Sequence, residues 1–369
     1  MGRLIIYVHI PFCKSRCRYC DFYSTTMLER QSAYISALCR EWETRRQAFG
    51  TDIDTLYIGG GTPSAISTDL IAVVRELIIP SPRGAIEITM EANPGDLSLE
   101  KLERLRAAGI NRLSIGIQSF NDRLLSLIGR RHTAAEAIEV VHLARKAGFE
   151  NLSIDLMYGL PTQTMEEWKA DIETALTLEP EHISAYCLSY EDGTVLTRML
   201  ERGEIEETDE DTENEMFDYL AVRLEKAGYL HYEVSNYAKP GYESRHNSSY
   251  WNDTPYLGLG AGAHSYDGQR RSWNRGDIAA YIENPSAVHE EEILSETDRY
   301  NERVMLSLRT SKGLKIETLS LLNDSPQPQS LDYIQEEVER GNLIIEDGYI
   351  RATQQGLHIL NRIIENLMI

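Results

Sequence analysis

The chain has 369 residues, 42% of them hydrophobic and 26% charged, a composition that suits a globular protein with a substantial core. Gly and Pro number 25 and 12, too few for a collagen-like or low-complexity chain, and no apolar run approaches the roughly 20 residues that span a bilayer. With 37 basic against 58 acidic side chains the net charge is −21, which opposes binding to nucleic acid or to an anionic membrane surface.

The N-terminal stretch Met1–Phe12 is apolar but short and runs into a Cys-rich loop, so no secretory leader is read there. The first half then alternates strand and helix patterns. Leu4–Ile10, Thr55–Ile58, Ala85–Met90, Arg112–Ile117, Leu152–Met157 and His182–Leu188 are rich in β-branched or aromatic residues and read as strands. Leu28–Arg46, Thr68–Ile78, Leu99–Ala108, Ala134–Ala147 and Met165–Leu178 read as helices, two of them stopping at Gly109 and Gly148. Such β–α units predict an α/β fold with a parallel sheet and right-handed crossovers. Six units are too few for an eight-stranded barrel, so a partial (β/α)6 barrel is expected.

After about residue 200 the rhythm changes. Glu201–Asp218 carries ten acidic residues and one Arg, and reads as a solvated helix or linker. Tyr229–Trp273 is irregular and rich in Tyr, Gly, His and Asn; Gly258–Gly262 within it reads as a turn against the barrel rim. Helical patterns follow near Asp277–Ile282 and Ser295–Leu308. The tail from Leu331 reads helix, hairpin, helix, with Asp347–Gly348 at the hairpin turn. That pattern suggests a mainly helical, winged-helix-like C-terminal module. The expected division is residues 1–235 for the barrel and 236–369 for the C-terminal domain.

The unusual loops share a position. PFCKSRCRYCDF, GGGTPS, EANPGD, QSF, YGLP and SYEDGT each follow a predicted strand, and the C-terminal ends of parallel strands are where α/β folds place their sites. Cys13, Cys17 and Cys20 crowd into eight positions of a chain with five cysteines, so a disulfide framework is not expected and a reducing cytoplasm is. Three thiolates on one tight loop suit a [4Fe–4S] cluster held at three irons, with a zinc or structural thiol loop as the alternative. Cys39 is expected to pack within a helix, and Cys187 is read as structural.

Taken together, YVHIPFC, GGGTPS, EANP, GIQSF and DLMYGLP resemble the radical S-adenosylmethionine (radical SAM) superfamily, and within it the HemN group of oxygen-independent coproporphyrinogen III oxidases. The resemblance implies a radical-SAM partial barrel in which Cys13, Cys17 and Cys20 ligate the cluster and its open iron binds S-adenosylmethionine. It also implies that Tyr7, Tyr19, Gly60, Gly61 and Thr62 line the methionine end. Glu91 would hold the ribose hydroxyls, and Gln118, Arg130 and Asp155 would complete the polar shell. A surface helix position for Arg130 and a helix cap for Asp155 are the alternatives.

Two features separate branches of this group. The decarboxylating enzymes resemble Cys-x3-Cys-x2-Cys-x-Cys, and the fourth Cys position here is Phe22; they also carry a segment ahead of the first strand, which here starts at residue 4. The string His246-Asn247-Ser248-Ser249-Tyr250-Trp251 resembles the HNxxYW signature of the HemW branch of haem chaperones. That resemblance implies haem bound by His246, Asn247, Tyr250 and Trp251, haem-accepting proteins as partners, and an electron donor for the cluster. His264 is the rival iron ligand; His9 and His132 are weaker ones. Oxidation of coproporphyrinogen III is the alternative function, and a radical reaction on another substrate the third.

Overall fold

A computed structural model of the protein describes residues 4–49, 52–80, 86–320 and 328–369. Six strands, β1 (Leu4–Ile10), β2 (Ile53–Gly60), β3 (Glu87–Ala92), β4 (Arg112–Gln118), β5 (Asn151–Tyr158) and β6 (His182–Cys187), run parallel and side by side in chain order. Between them lie α1 (Gln31–Phe49), α2 (Thr68–Ile78), α3 (Leu99–Ala107), α4 (Asp122–Leu127), α5 (Ala134–Lys146) and α6 (Met165–Thr177). The strands are buried along nearly their whole length, as parallel strands covered by crossover helices must be. Ala85, expected in the third strand, lies outside the described residues.

Local chemistry sets the helix ends. Thr133 with Glu136 and Thr164 with Glu167 form capping boxes that start α5 and α6. Gly148, at φ 88°, ends α5 in a left-handed conformation that a side chain would oppose.

The sheet is wider than six strands. On the β6 side, α7 (Val195–Glu201) and α8 (Glu210–Lys226) lead into the antiparallel pair β7 (Leu230–Glu233) and β8 (Asn236–Ala238). The second half of the acidic segment starts α8, and that helix is not merely solvated: Met216, Leu220, Ala221 and Leu224 are buried, and Trp168 Nε1 donates to Met216 O at 2.9 Å. On the β1 side, α9 (Arg245–Trp251) precedes β9 (Tyr256–Leu259), which pairs parallel with β1. Tyr256–Leu259 is therefore strand, so the turn expected over Gly258–Gly262 begins only after it. Then β10 (His264–Tyr266), β11 (Arg270–Asn274), α10 (Ile278–Glu283) and β12 (His289–Ile293) follow, the three strands extending the sheet antiparallel. β1 pairs with β9 and β2, and β6 with β5 and β8, so the six-stranded set does not close on itself. Residues from β2 to β6 and from the loop after β1 nonetheless face one cavity, which requires the sheet to curl into a partial barrel.

One hydrophobic core runs from Leu4 to Val288 and a second from Tyr300 to Leu367. The second belongs to α11 (Glu296–Leu308), β13 (Leu314–Lys315), α12 (Pro328–Glu339), the hairpin β14 (Leu343–Glu346) and β15 (Tyr349–Ala352), α13 (Gln354–Leu357) and α14 (Leu360–Leu367). Asp347 and Gly348, both at positive φ, make the hairpin turn.

The Glu41 carboxylate on α1 holds the β1-side extension. It is 4% exposed and accepts from Gly260 N (2.9 Å), Asn274 Nδ2 (2.7 Å), Tyr281 OH (2.6 Å) and Arg45 Nη1 (2.9 Å). Glu41→Ala would leave these buried donors and the Arg45 charge unpartnered. The expected loss is about 3–5 kcal/mol of unfolding free energy, measured by urea denaturation.

Candidate functional site

A cavity of about 420 Å3 sits at the C-terminal ends of β1–β6. Its first wall is the loop after β1. Thr25 N donates to Pro11 O at 2.6 Å and Cys13 N to Thr25 O at 2.9 Å, which folds the loop back on its own base. Arg18 fixes the other half, its N donating to Ile128 O at 3.0 Å and its Nη1 to Leu127 O at 3.1 Å. Cys13, Cys17 and Cys20 all line the cavity as free thiols, Cys13 buried and the other two half-buried. Burial raises the Cys13 thiol and pushes Cys20 up to about 11.

The donor set fits an iron–sulfur cluster. Among the described residues, no three His, Cys, Asp or Glu side chains converge on a point that a single metal ion could occupy. A cluster takes each thiolate at a different iron and needs no such focus. Opposite the thiols, Arg130 Nη1 lies 3.4 Å from Cys17 Sγ and Nη2 donates to Gly116 O, while its buried Nε has no partner among the described residues. Arg130 is thus part of the cavity wall rather than a surface helix residue.

The glycines after β2 make the close approach possible. Gly60 is at φ 113°, and a Cβ there would come within 2.6 Å of the His9 ring; at Gly61 it would lie 2.8 Å from the Pro11 carbonyl carbon and 3.1 Å from Cys13 Sγ. Gly60 N donates to Glu91 Oε2 at 3.0 Å, and Tyr57 OH to Oε1 at 2.9 Å. Burial lifts the Glu91 carboxyl to about 7, against those two hydrogen bonds and with help from Asp155. Asp155 lies within β5, not at a helix cap, and accepts from Ser114 Oγ at 3.0 Å; burial raises it also. Gln118 reaches the cavity at φ 73°, where the β4–β5 register shifts.

Of the nine residues expected around S-adenosylmethionine, Tyr19, Gly60, Gly61, Thr62, Glu91, Gln118, Arg130 and Asp155 line this cavity. Tyr7 does not. Its hydroxyl lies 3.0 Å from His9 Nδ1 and its ring stacks on Tyr57, whose side chain takes the cavity position instead. Sequence reasoning missed Tyr57, Arg112 and Tyr186, all cavity-lining. The period of two in β2 and β6 places Tyr57 with Gly59, and Tyr186 with Ser184, and was the available signal. Cys187, expected to be structural, faces this space.

A second cavity, of about 460 Å3, abuts the first and shares Tyr186 and Asn247 with it. Tyr250, Trp251, Tyr256 and Tyr266 supply aromatic walls, and Arg271 and Arg309 supply positive charge. His246 lines neither cavity. It is 1% exposed, with Nδ1 2.7 Å from Thr55 Oγ1 and Nε2 2.9 Å from Tyr250 OH. Burial, then the nearby Arg112 charge, lowers its pKa to about 3. Both nitrogens are engaged, so the iron-ligand role expected of His246 finds no free donor in this arrangement. His9 is also tied at both nitrogens, to Tyr7 and Tyr23 O; His132 is held by Nε2 on Ile117 O, its Nδ1 has no partner among the described residues, and it lines neither cavity. His264 is exposed beside Trp273 and lines neither cavity.

A curled parallel sheet with three cysteines after its first strand and glycines after its second defines a radical SAM protein. The family model described as the radical SAM superfamily matches residues 7–175, and that of the HemN C-terminal domain matches residues 294–359. Heme chaperone HemW of Lactococcus lactis subsp. lactis (strain IL1403) is 38% identical over 98% of this chain and 97% of its own. Heme chaperone HemW of Bacillus subtilis (strain 168) is 39% identical over 84% of each. The chain belongs to the HemW family. Its fold is that of coproporphyrinogen III oxidase (HemN) from Escherichia coli, with a TM-score of 0.82 at 23% identity over 99% of this chain and 90% of that one.

The Glu91 carboxyl gives a pH signature. Its folded pKa lies above that of an unfolded glutamate, so between about pH 4.5 and 7 the folded chain holds the extra proton. Wild-type stability relative to Glu91→Gln is therefore expected to fall as pH rises through that window and to level off above it. Urea midpoints of the two proteins across pH 4.5–8 check this.

Proposed function

We propose that the protein is a haem chaperone on a radical SAM scaffold, which holds haem and passes it to haem-accepting proteins in the cytoplasm. The observation that carries this reading is the adjacency of two unlike cavities, one ringed by thiols and polar groups, the other walled by aromatic rings and arginines. The relatives named heme chaperone HemW support it over nearly the full chain.

Cys13, Cys17 and Cys20 would hold a [4Fe–4S] cluster, which when bound supplies one-electron reduction of S-adenosylmethionine at its open iron. An external electron donor would supply the cluster. Arg130, whose Nε is unpartnered, would take the methionine carboxylate, a charge-assisted pairing suited to guanidinium. Gly60, Gly61 and Thr62 would shape the methionine end with Tyr19, and Glu91 would accept the ribose hydroxyls. Gln118 and Asp155 would close the polar shell.

Haem would lie in the second cavity. Tyr250 and Trp251 would stack on the porphyrin with Asn247 at the shared wall, and Arg271 and Arg309 would meet its carboxylates. No histidine lines this cavity among the described residues. His246 stands behind Tyr250 as its hydrogen-bond partner and would orient that ring against the porphyrin.

Three outcomes are expected. Cys17→Ser should abolish the brown cluster absorbance after anaerobic reconstitution and Cys39→Ser should keep it; equal content in both would break the ligand assignment. Glu91→Ala should weaken S-adenosylmethionine binding by calorimetry. Above about pH 7, where the Glu91 carboxyl is ionised, loss of a charged acceptor costs about 1.5–3 kcal/mol, roughly ten- to a hundredfold in affinity. Finally, the wild type should bind haem in a Soret titration without converting coproporphyrinogen III under reducing anaerobic conditions. Trp251→Ala should weaken that binding, and His246→Ala should leave the Soret position unchanged. Catalytic product without haem binding would promote the oxidase reading instead.

A further inference from the structure

Asp96 ends the turn Pro94–Asp96 after β3, and its side chain has no exposed surface. Four rim loops meet on it. From the cysteine loop, Lys14 Nζ lies 2.8 Å from Oδ1. From the loop between α4 and α5, Arg131 Nη2 donates to both oxygens, at 3.0 and 3.1 Å. From the glycine loop after β2, Ser64 Oγ donates to Oδ2 at 3.3 Å and accepts from Asn93 N at 2.9 Å. Asp96 itself supplies the loop after β3. Neither Asp96 nor Lys14 lines the first cavity, so neither would touch a ligand there.

We propose that Asp96 is the positioning residue of the cysteine loop: through Lys14 it fixes the chain between Cys13 and Cys17 and holds the thiols in the spread a cluster takes up. The inference rests on the cluster reading above. Arg18 anchors the second half of the loop to Leu127 and Ile128, whereas Lys14, Ser15 and Arg16 are exposed, the Lys14 side chain at 45% with its ammonium on the buried Asp96. The Lys14–Asp96 pair is the matching anchor for the first half. Arg131 binds both oxygens of the buried Asp96 carboxylate and holds it as a fixed post to which Lys14 is tied. Partners that orient metal ligands from behind typically contribute 10- to 100-fold in metal affinity.

The test uses the full-length protein and the variants Lys14→Met, Lys14→Arg, Asp96→Asn and the double Lys14→Met/Asp96→Asn. After anaerobic reconstitution, cluster loss to an iron chelator is followed by absorbance. Lys14→Met should lose its cluster about tenfold faster than wild type, and Lys14→Arg should restore the wild-type rate. The double variant should be no faster than Asp96→Asn, since both act through one contact. Thermal unfolding of apo Lys14→Met should match the wild type, because Arg131 still neutralises Asp96; this variant keeps the test alive if Asp96→Asn folds poorly. A Lys14→Met rate equal to wild type, or a double variant showing the sum of the single effects, overturns the proposal. A wild type that takes up no iron sinks the cluster reading instead. The tether is then read by iodoacetamide alkylation of Cys13 in the apo chain, faster in Lys14→Met if it stands and equal if it does not.

Discussion

Everything at this site depends on one constraint: strands joined by helical crossovers must all point the same way, so the loop after each strand opens on the same rim. Residues 31 and 113 positions apart thereby face one another. Arg130 reaches Cys17, and Gly60 N reaches Glu91, with no long-range device beyond the sheet register. The register also dictates glycine after β2, since the strand end passes within contact of Pro11 and Cys13. Two buried carboxyls, Glu91 and Asp155, share the cavity with the guanidiniums of Arg112 and Arg130. The guanidiniums oppose the burial of Asp155, whereas Glu91 relies on its Tyr57 and Gly60 hydrogen bonds and keeps its proton up to about pH 7.

The second cavity follows from how the sheet is extended. β9 adds to β1 and β8 adds to β6, so α9 and the C-terminal module come to lie beside the gap that the six strands leave open. Arg303 pairs with Asp253 at 2.9 Å, and His358 and Gln354 both bind Asp218, which ties the module to the barrel at two places. The HNxxYW string is divided by helix periodicity. Asn247, Tyr250 and Trp251 face cavity space, while His246 turns inward and stacks on Tyr57 at 4.9 Å. His246 thereby links the Glu91–Tyr57 pair of one cavity to Tyr250 of the other.

The parallel strands and crossover helices were legible because burial on both faces writes long β-branched runs, and because helices end at caps and glycines. The edge strands were not. β7 to β11 are three to five residues each, carry Tyr, Gly and Asn, and are held by long-range contacts such as the Glu41 cluster. The acidic stretch misled by composition, since only Met216 of the four buried apolar positions of α8 falls within it. Motif residues with polar side chains announced themselves; Tyr57 did not, because a tyrosine within an apolar strand reads as core. Tyr7 and His246 sit in strong motifs, but the partners that occupy their polar atoms, His9, Thr55 and Tyr250, become visible only in three dimensions.

The central claim is that the thiol-ringed cavity holds a cluster whose open iron meets S-adenosylmethionine. Electron paramagnetic resonance of the anaerobically reconstituted, reduced protein, recorded with and without S-adenosylmethionine, tests it most directly. The account predicts a reduced-cluster signal whose line positions change when S-adenosylmethionine is added. Identical spectra with and without it, at full cluster occupancy, would contradict the account.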